Sequence, residues 1–281
     1  MKRILTPVDF SEDSINALQH AIYIAKKMGA EIHLLHVKPD KSVFSLFGNS
    51  KDEFSETEIA DNLDRLIDRL STENGISLHR HIRAGKISRE IAQAAEEIDT
   101  FMIVMGTHGR SGVEEFWMGS NSFKVVSQAP CPVLTLRKNF EQYEITRIVL
   151  PLDNSPETRQ KVPHTVEFAK YFNASIHVLA VISDRTEGVI NRITRYQMQV
   201  VDYIKEYDVD WKTDTVYGDN ITNATIEYAK EVKASLIAIM TEQEIDASNL
   251  VLGPYAQQMV NHSPIPVYSV RPRQDIHVSL Y

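Results

Sequence analysis

The alternation of short apolar runs with amphipathic stretches predicts an α/β fold: two doubly wound, mainly parallel five-stranded sheets with helices on both faces. Two further observations support it. The chain has 281 residues, of which 43% are hydrophobic and 24% charged, enough for two cores of ordinary size. The same plan is also written twice.

The segment RILTPVDFS, beginning at Arg3, returns as RIVLPLDNS at Arg147, a shift of 144. At the same shift GAEIHLLHV, from Gly29, matches NASIHVLAV, from Asn173. Further on, TFMIVMGTHGRSG, from Thr100, aligns with ASLIAIMTEQEID, from Ala234, at a shift of 134. PCPVLTLR and SPIPVYSVR close the two copies. Two homologous domains are expected over residues 1–138 and 145–273, with a short polar linker between them.

In the first copy, residues 4–8, 32–37, 77–83, 101–105 and 133–136 read as strands by their length and Val/Ile/Leu content. Residues 14–28 read as a helix, because Ile15, Leu18, Ile22 and Ala25 recur at helical spacing. Ser11 or Asp9 is its expected N-cap, and Gly29 its C-terminal stop. Ile59, Leu63, Leu66, Ile67 and Leu70 mark a second helix over 58–70, and 88–98 and 120–127 complete the set. In such sheets ligands sit at the carboxyl ends of the strands, near the topological switch point. Residues 38–53 break the pattern; Phe44, Leu46 and Phe47 are expected to tuck against the domain surface, with a lid or partner contact as the alternative.

Composition excludes several classes of function. With 30 Lys+Arg against 38 Asp+Glu, the net charge of −8 argues against nucleic-acid binding through the phosphate backbone. One cysteine, Cys131, excludes an internal disulfide and a Cys-rich zinc site, and fits a reducing compartment. No apolar run is long enough to span a membrane, so a cytoplasmic protein with no membrane partner is expected. There is no P-loop, no GxGxxG fingerprint, no GxSxG elbow and no HExxH. Cys131 lies between two prolines with no base nearby, so packing is favoured over nucleophilic chemistry. His79 and His81 share one face of a strand, but two ligands do not make a metal site, and a surface or core role is favoured. No metal site is therefore expected, and the recurrence of His33 as His177 is put down to the repeat.

Four of the 11 glycines fall at Gly106, Gly109, Gly112 and Gly119, between a buried strand and the start of a helix. Such a loop suits an anion, because main-chain N–H groups without a neighbouring Cβ can approach phosphate oxygens and the helix N-terminus adds its dipole. Ser120 and Ser122 offer hydroxyl donors beside it.

The spacing Gly106-x2-Gly109-x9-Gly119-Ser120 is similar to the nucleotide-binding pattern of the universal stress protein family. Pro7-Val8-Asp9, Leu35-His36-Val37 and the Ala129-Pro-Cys-Pro-Val133 step extend the resemblance over nearly all of both halves, as in tandem members. The resemblance implies the adenine nucleotide alpha hydrolase-like fold, and ATP, ADP or AMP as ligand, with or without magnesium. It places the ribose and phosphates against Gly106, Thr107, His108, Gly109, Arg110, Ser111 and Gly112. The outer phosphates fall at Gly119, Ser120, Asn121 and Ser122, and the adenine side at Pro7, Asp9 and Val37. It also implies that the two domains pair across their last strands into an intramolecular pseudo-dimer; a further homodimer and any protein partner stay open. A regulatory or stress-response role through nucleotide binding is favoured. A slow ATPase, using Asp9 or His108 as base, and a scaffold with no nucleotide are the alternatives.

In the second copy Met240, Thr241, Glu242 and Gln243 stand opposite Gly106, Thr107, His108 and Gly109, with Glu244 opposite Arg110 and Pro254 opposite Ser120. Bulk, negative charge and a missing N–H predict that this domain does not bind ATP in the family manner.

Overall fold

The computed structural model describes residues 1–39, 55–107, 119–138, 140–241, 243–246 and 249–272. The first half runs β1 (Arg3–Pro7), α1 (Glu12–Met28), β2 (Glu31–Pro39), α2 (Glu56–Asn74), β3 (Leu78–Gly85), α3 (Ile87–Glu97), β4 (Met102–Gly106), α4 (Ser120–Gln128) and β5 (Val133–Leu136). The second runs β6 (Arg147–Leu152), a 3-10 turn (Pro156–Arg159), α5 (Val162–Phe172), β7 (Ser175–Ile182), α6 (Glu187–Lys205), β8 (Trp211–Tyr217), α7 (Ile221–Glu231), β9 (Leu236–Met240), β10 (Gln243–Asp246), β11 (Asn249–Leu252), α8 (Pro254–His262) and β12 (Val267–Val270).

The strands form one ten-stranded sheet in the order β3-β2-β1-β4-β5-β12-β9-β6-β7-β8. Pairing within each half is parallel, and the order reverses between β1 and β4 in the first half and between β6 and β9 in the second. Successive strand residues face opposite sides, which is why both sides of the sheet must be apolar. Ile4 belongs to a core layer with Leu18, Ile24, Val166 and Val200, while Leu5 belongs to a second layer with Ile91, Val125, Ile226 and Met259. Each layer runs through both halves.

The halves meet where β5 pairs antiparallel with β12, through Thr135–Val267, Leu134–Tyr268 and Val133–Ser269. Leu134 and Tyr268 are counterparts at the shift of 134, so the register is self-complementary, as across a two-fold axis. Each last strand covers the edge the other would expose. Two counterpart arginines add to the joint. Arg137 donates to the carbonyl of Asn261 near the end of α8, and Arg271 donates to that of Gln128 at the end of α4, at 3.3 Å. A cation at a helix carboxyl end is favoured by the unpaired carbonyls and the dipole.

Helix α1 starts at Ser11, whose hydroxyl accepts from the Ser14 N–H at 3.2 Å, and stops at Gly29 with φ 62°. Helix α2 reaches further toward the N-terminus than its apolar stripe predicts, because Ser55 and Glu58 form a reciprocal capping box. The linker is held by α1: His20 Nε2 and Asn16 Nδ2 contact the Phe140 carbonyl at 2.9 and 3.3 Å. Phe44, Leu46 and Phe47 lie outside the described residues.

Candidate functional site

The switch point between β1 and β4 gathers most of the predicted residues at the carboxyl edge of the first half. Pro7 closes β1, Val37 lies near the end of β2 and Gly106 closes β4. All three are brought together with Asp9 by the β2-β1-β4 order. Asp9 Oδ1 accepts from both the N–H and the hydroxyl of Ser11, at 3.0 and 2.6 Å. Ser11 is therefore the cap of α1 and Asp9 its brace. The second half keeps this arrangement, with Asp153 Oδ1 taking Ser155 N–H and hydroxyl at 2.8 and 2.6 Å.

Gly106 is needed for close approach. A Cβ there would lie 3.0 Å from the Cβ and carbonyl oxygen of Asp13 and 3.1 Å from its carbonyl carbon, so the first turn of α1 sits directly on this glycine. Thr107 is buried, and its carbonyl accepts the Gly119 N–H at 2.8 Å, closing the base of the glycine-rich loop. Its own N–H pairs with the Leu136 carbonyl at 2.9 Å. Gly119 then starts α4 with no side-chain cap. The first-turn N–H groups of a helix lack intrahelical partners, and those of Ser120 and Asn121 belong to exposed residues. Ser122 is different: it is buried and its hydroxyl donates to the Gly106 carbonyl at 3.2 Å, so that hydroxyl ties α4 to β4. His108, Gly109, Arg110, Ser111 and Gly112 lie outside the described residues.

Two residues at this edge, Phe10 and His36, fall outside the expected set of site residues. Phe10, next to Asp9, has φ 63°, a left-handed conformation that an aromatic residue seldom adopts. Its ring stacks on His36 at 5.3 Å, and His36 Nδ1 contacts the Val8 carbonyl at 2.7 Å. The adenine-side expectation named Val37 and missed these neighbours.

The equivalent place in the second half is filled. Met240 stands where Gly106 does, and the first turn of the helix after β6 is displaced: the counterpart of Glu12 begins a 3-10 turn, and α5 starts only at Val162. Lys161, counterpart of Ala17, is 1% exposed and its ammonium donates to the carbonyl and hydroxyl of Thr158 at 2.5 and 3.2 Å. Lys161, Met240, Tyr255, Pro151, Asp153, Thr158 and Ile221 leave a cavity of about 10 Å³, at most the room of one water. Backbone beyond β9 folds into an antiparallel hairpin, with Gln243 opposite Leu252 and Asp246 opposite Asn249. Part of its main-chain donors are thereby committed within the hairpin. Sequence alignment found the lost glycines and missed Lys161, because its counterpart lies upstream of the loop.

A second polar cluster lies at the opposite, amino-terminal end of the first half's strands. His33 pairs in register with His79, and Leu35 with His81, so their side chains share a face. His33 Nδ1 lies 2.8 Å from His81 Nε2, and Glu31 lies 3.4 Å from both His33 Nε2 and His79 Nε2. Burial lowers the pKa of His33 and of His81 below the usual imidazole value. Burial alone would push the Glu31 carboxyl up, but the Arg3 guanidinium and His33 together hold it below its ordinary value. His79 and His81 share a face as the strand period predicts, and parallel register brings a third histidine, His33, and the carboxylate of Glu31 beside them.

The sequence profile of the universal stress protein family matches residues 1–137 and again 144–271. The chain belongs to this family. A universal stress protein of Methanocaldococcus jannaschii is 33% identical over 140 residues, covering 49% of this chain and 82% of its own. Universal stress protein G of Escherichia coli O157:H7 is 30% identical over 143 residues, covering 48% of this chain and 99% of its own. The crystal structure of a universal stress protein from Archaeoglobus fulgidus matches with a TM-score of 0.72 at 21% identity, over 96% of this chain and 98% of that one. The last comparison bears on fold, and the fold is the adenine nucleotide alpha hydrolase-like one of universal stress proteins. No helix among the described residues is long and apolar enough to cross a membrane.

Proposed function

We propose that this universal stress protein binds one adenine nucleotide, ATP in the first instance, in its N-terminal half, and that the bound nucleotide regulates rather than undergoes turnover. The observation that carries the reading is the uncapped start of α4 at Gly119, at the end of the Gly106-x2-Gly109-x9-Gly119-Ser120 loop and clasped to Thr107. Main-chain donors of Ser120 and Asn121 hold the outer phosphates there, where the helix dipole favours negative charge. Gly106, Thr107, His108, Gly109, Arg110, Ser111 and Gly112 surround the ribose and inner phosphates, and Pro7, Asp9 and Val37 face the base. Ser122 holds α4 in place through the Gly106 carbonyl.

The second half acts as a structural partner, its equivalent site filled by Lys161 and Met240. Binding is favoured over hydrolysis because Asp9, the carboxylate at this edge that could serve as a base, is already engaged with Ser11. Ligand that binds the folded state alone stabilises it and biases one conformation or partner surface. The test is titration of the full chain with Mg-ATP, wild type against Gly119→Val and Gly109→Ala. Both variants are expected to lose affinity at least about tenfold, since each adds a Cβ where main chain approaches phosphate. Unchanged affinity in both would remove the loop from the site.

A further inference from the structure

The cluster at the amino-terminal end of β2 and β3 is unrelated to the nucleotide edge. We propose that Glu31, His33 and His79 form a site for a late first-row divalent transition-metal ion, zinc fitting best, with His81 as the residue that positions His33.

The donor atoms of Glu31, His33 and His79 all lie within 4.8 Å of one another. Both imidazole-to-carboxylate separations are 3.4 Å, longer than the roughly 2.7–2.9 Å of a charge-assisted hydrogen bond. Each is close to a ligand–ligand edge of a zinc tetrahedron, about 3.3 Å for bonds of 2.0–2.1 Å, with His33 against Oε1 of Glu31 and His79 against Oε2. His33 already shows the arrangement of a ligating histidine: Nδ1 is engaged by His81 Nε2 at 2.8 Å, which leaves Nε2 turned toward Glu31. The carboxylate is anchored too. Arg3 Nε donates to Glu31 Oε1 at 2.9 Å while its Nη1 holds the Ile98 carbonyl at 2.7 Å, leaving Oε2 to face His79.

Two imidazoles and one carboxylate suit zinc, nickel or copper rather than magnesium or calcium, which take oxygen donors. Three protein ligands leave a fourth position for water. His79, with its side chain 48% exposed, gives the ion a way in. The ion would fasten the outer strand β3 to β2, which is itself held to β1 by Arg3. The second half supplies a natural control. There Ser175 replaces Glu31, Lys212 pairs with His177 where His79 pairs with His33, and His177 Nδ1 is satisfied by the Tyr228 hydroxyl at 2.9 Å.

The test is titration of the full chain, free of any histidine tag, with zinc against a chromophoric chelator, and with cobalt followed by its visible spectrum. One zinc per chain at micromolar or tighter affinity is expected, with intense tetrahedral cobalt bands. His79→Ala should weaken zinc binding by more than about a hundredfold and abolish the bands, with an unchanged melt in chelator because His79 is at the surface. His81→Phe should keep the stoichiometry and lose about 10–100-fold in affinity. No stoichiometric zinc, or binding and cobalt bands unaltered in His79→Ala, would overturn the proposal. Unaltered affinity in His81→Phe would overturn the role of His81.

Discussion

Replacing Gly106 by alanine tests how the two halves came to differ. The new Cβ would meet Asp13 Cβ and carbonyl oxygen at 3.0 Å and the carbonyl carbon at 3.1 Å, against the roughly 3.5–4.0 Å of a relaxed carbon contact. Two of these atoms are main chain, so rotamer change cannot relieve the clash and the first turn of α1 must move. Overpacking of this kind costs about 1–3 kcal/mol. At about 2–4 °C per kcal/mol, Tm should fall by roughly 2–12 °C. The displaced turn begins at Ser11 and so disturbs Asp9, and nucleotide affinity should fall with stability. The second half shows the end point: with Met240 at this place, the corresponding turn is 3-10 and α5 begins later. Thermal melts and Mg-ATP titration of Gly106→Ala provide the assay. A Tm within a degree of wild type together with unchanged affinity would refute the reasoning.

Four other outcomes follow from the same packing. Lys161→Ala leaves the Thr158 carbonyl and hydroxyl without their ammonium partner and opens a cavity, so denaturant unfolding should show a loss of about 2–5 kcal/mol. Restoring glycine at 240 and 243 and serine at 254 should yield no second nucleotide site in the titration unless Lys161→Ala accompanies them. Arg137→Ala removes a charged donor to the Asn261 carbonyl at the joint, and equilibrium denaturation should register about 1.5–3 kcal/mol. Burial, opposed by the contact with the Phe140 carbonyl, lowers the His20 pKa below 6.5. The unfolded chain then binds the proton more readily, so this contribution is whole above pH 6.5 and is lost as pH falls through the folded value. Stability measured from pH 8 to 5 should decline less steeply in His20→Gln than in wild type.

What could be read from the sequence was what local pattern controls. The RILTPVDFS and RIVLPLDNS copies announced the tandem plan, and apolar period placed the first-half strands within about two residues of their observed ends. Gly29 and Ser11 marked the ends of α1 through their own backbone chemistry. Side chains that meet through sheet register were hidden. His33 and His79 are 46 residues apart in the chain and adjacent only because β2 and β3 pair in parallel. Lys161 was hidden for a related reason, since a lysine on a helix reads as solvated until the helix start is displaced. Phe10 carries no cue at all, because its positive φ belongs to an aromatic residue where the second half has Asn154.

The central claim, one working nucleotide site in the first half and a filled one in the second, is tested most directly by counting. Protein purified natively and denatured in acid should release one adenine nucleotide per chain, and titration of emptied protein with Mg-ATP should saturate at the same ratio. Two nucleotides per chain would contradict the filled second site. None released, with no binding on titration, would contradict the first.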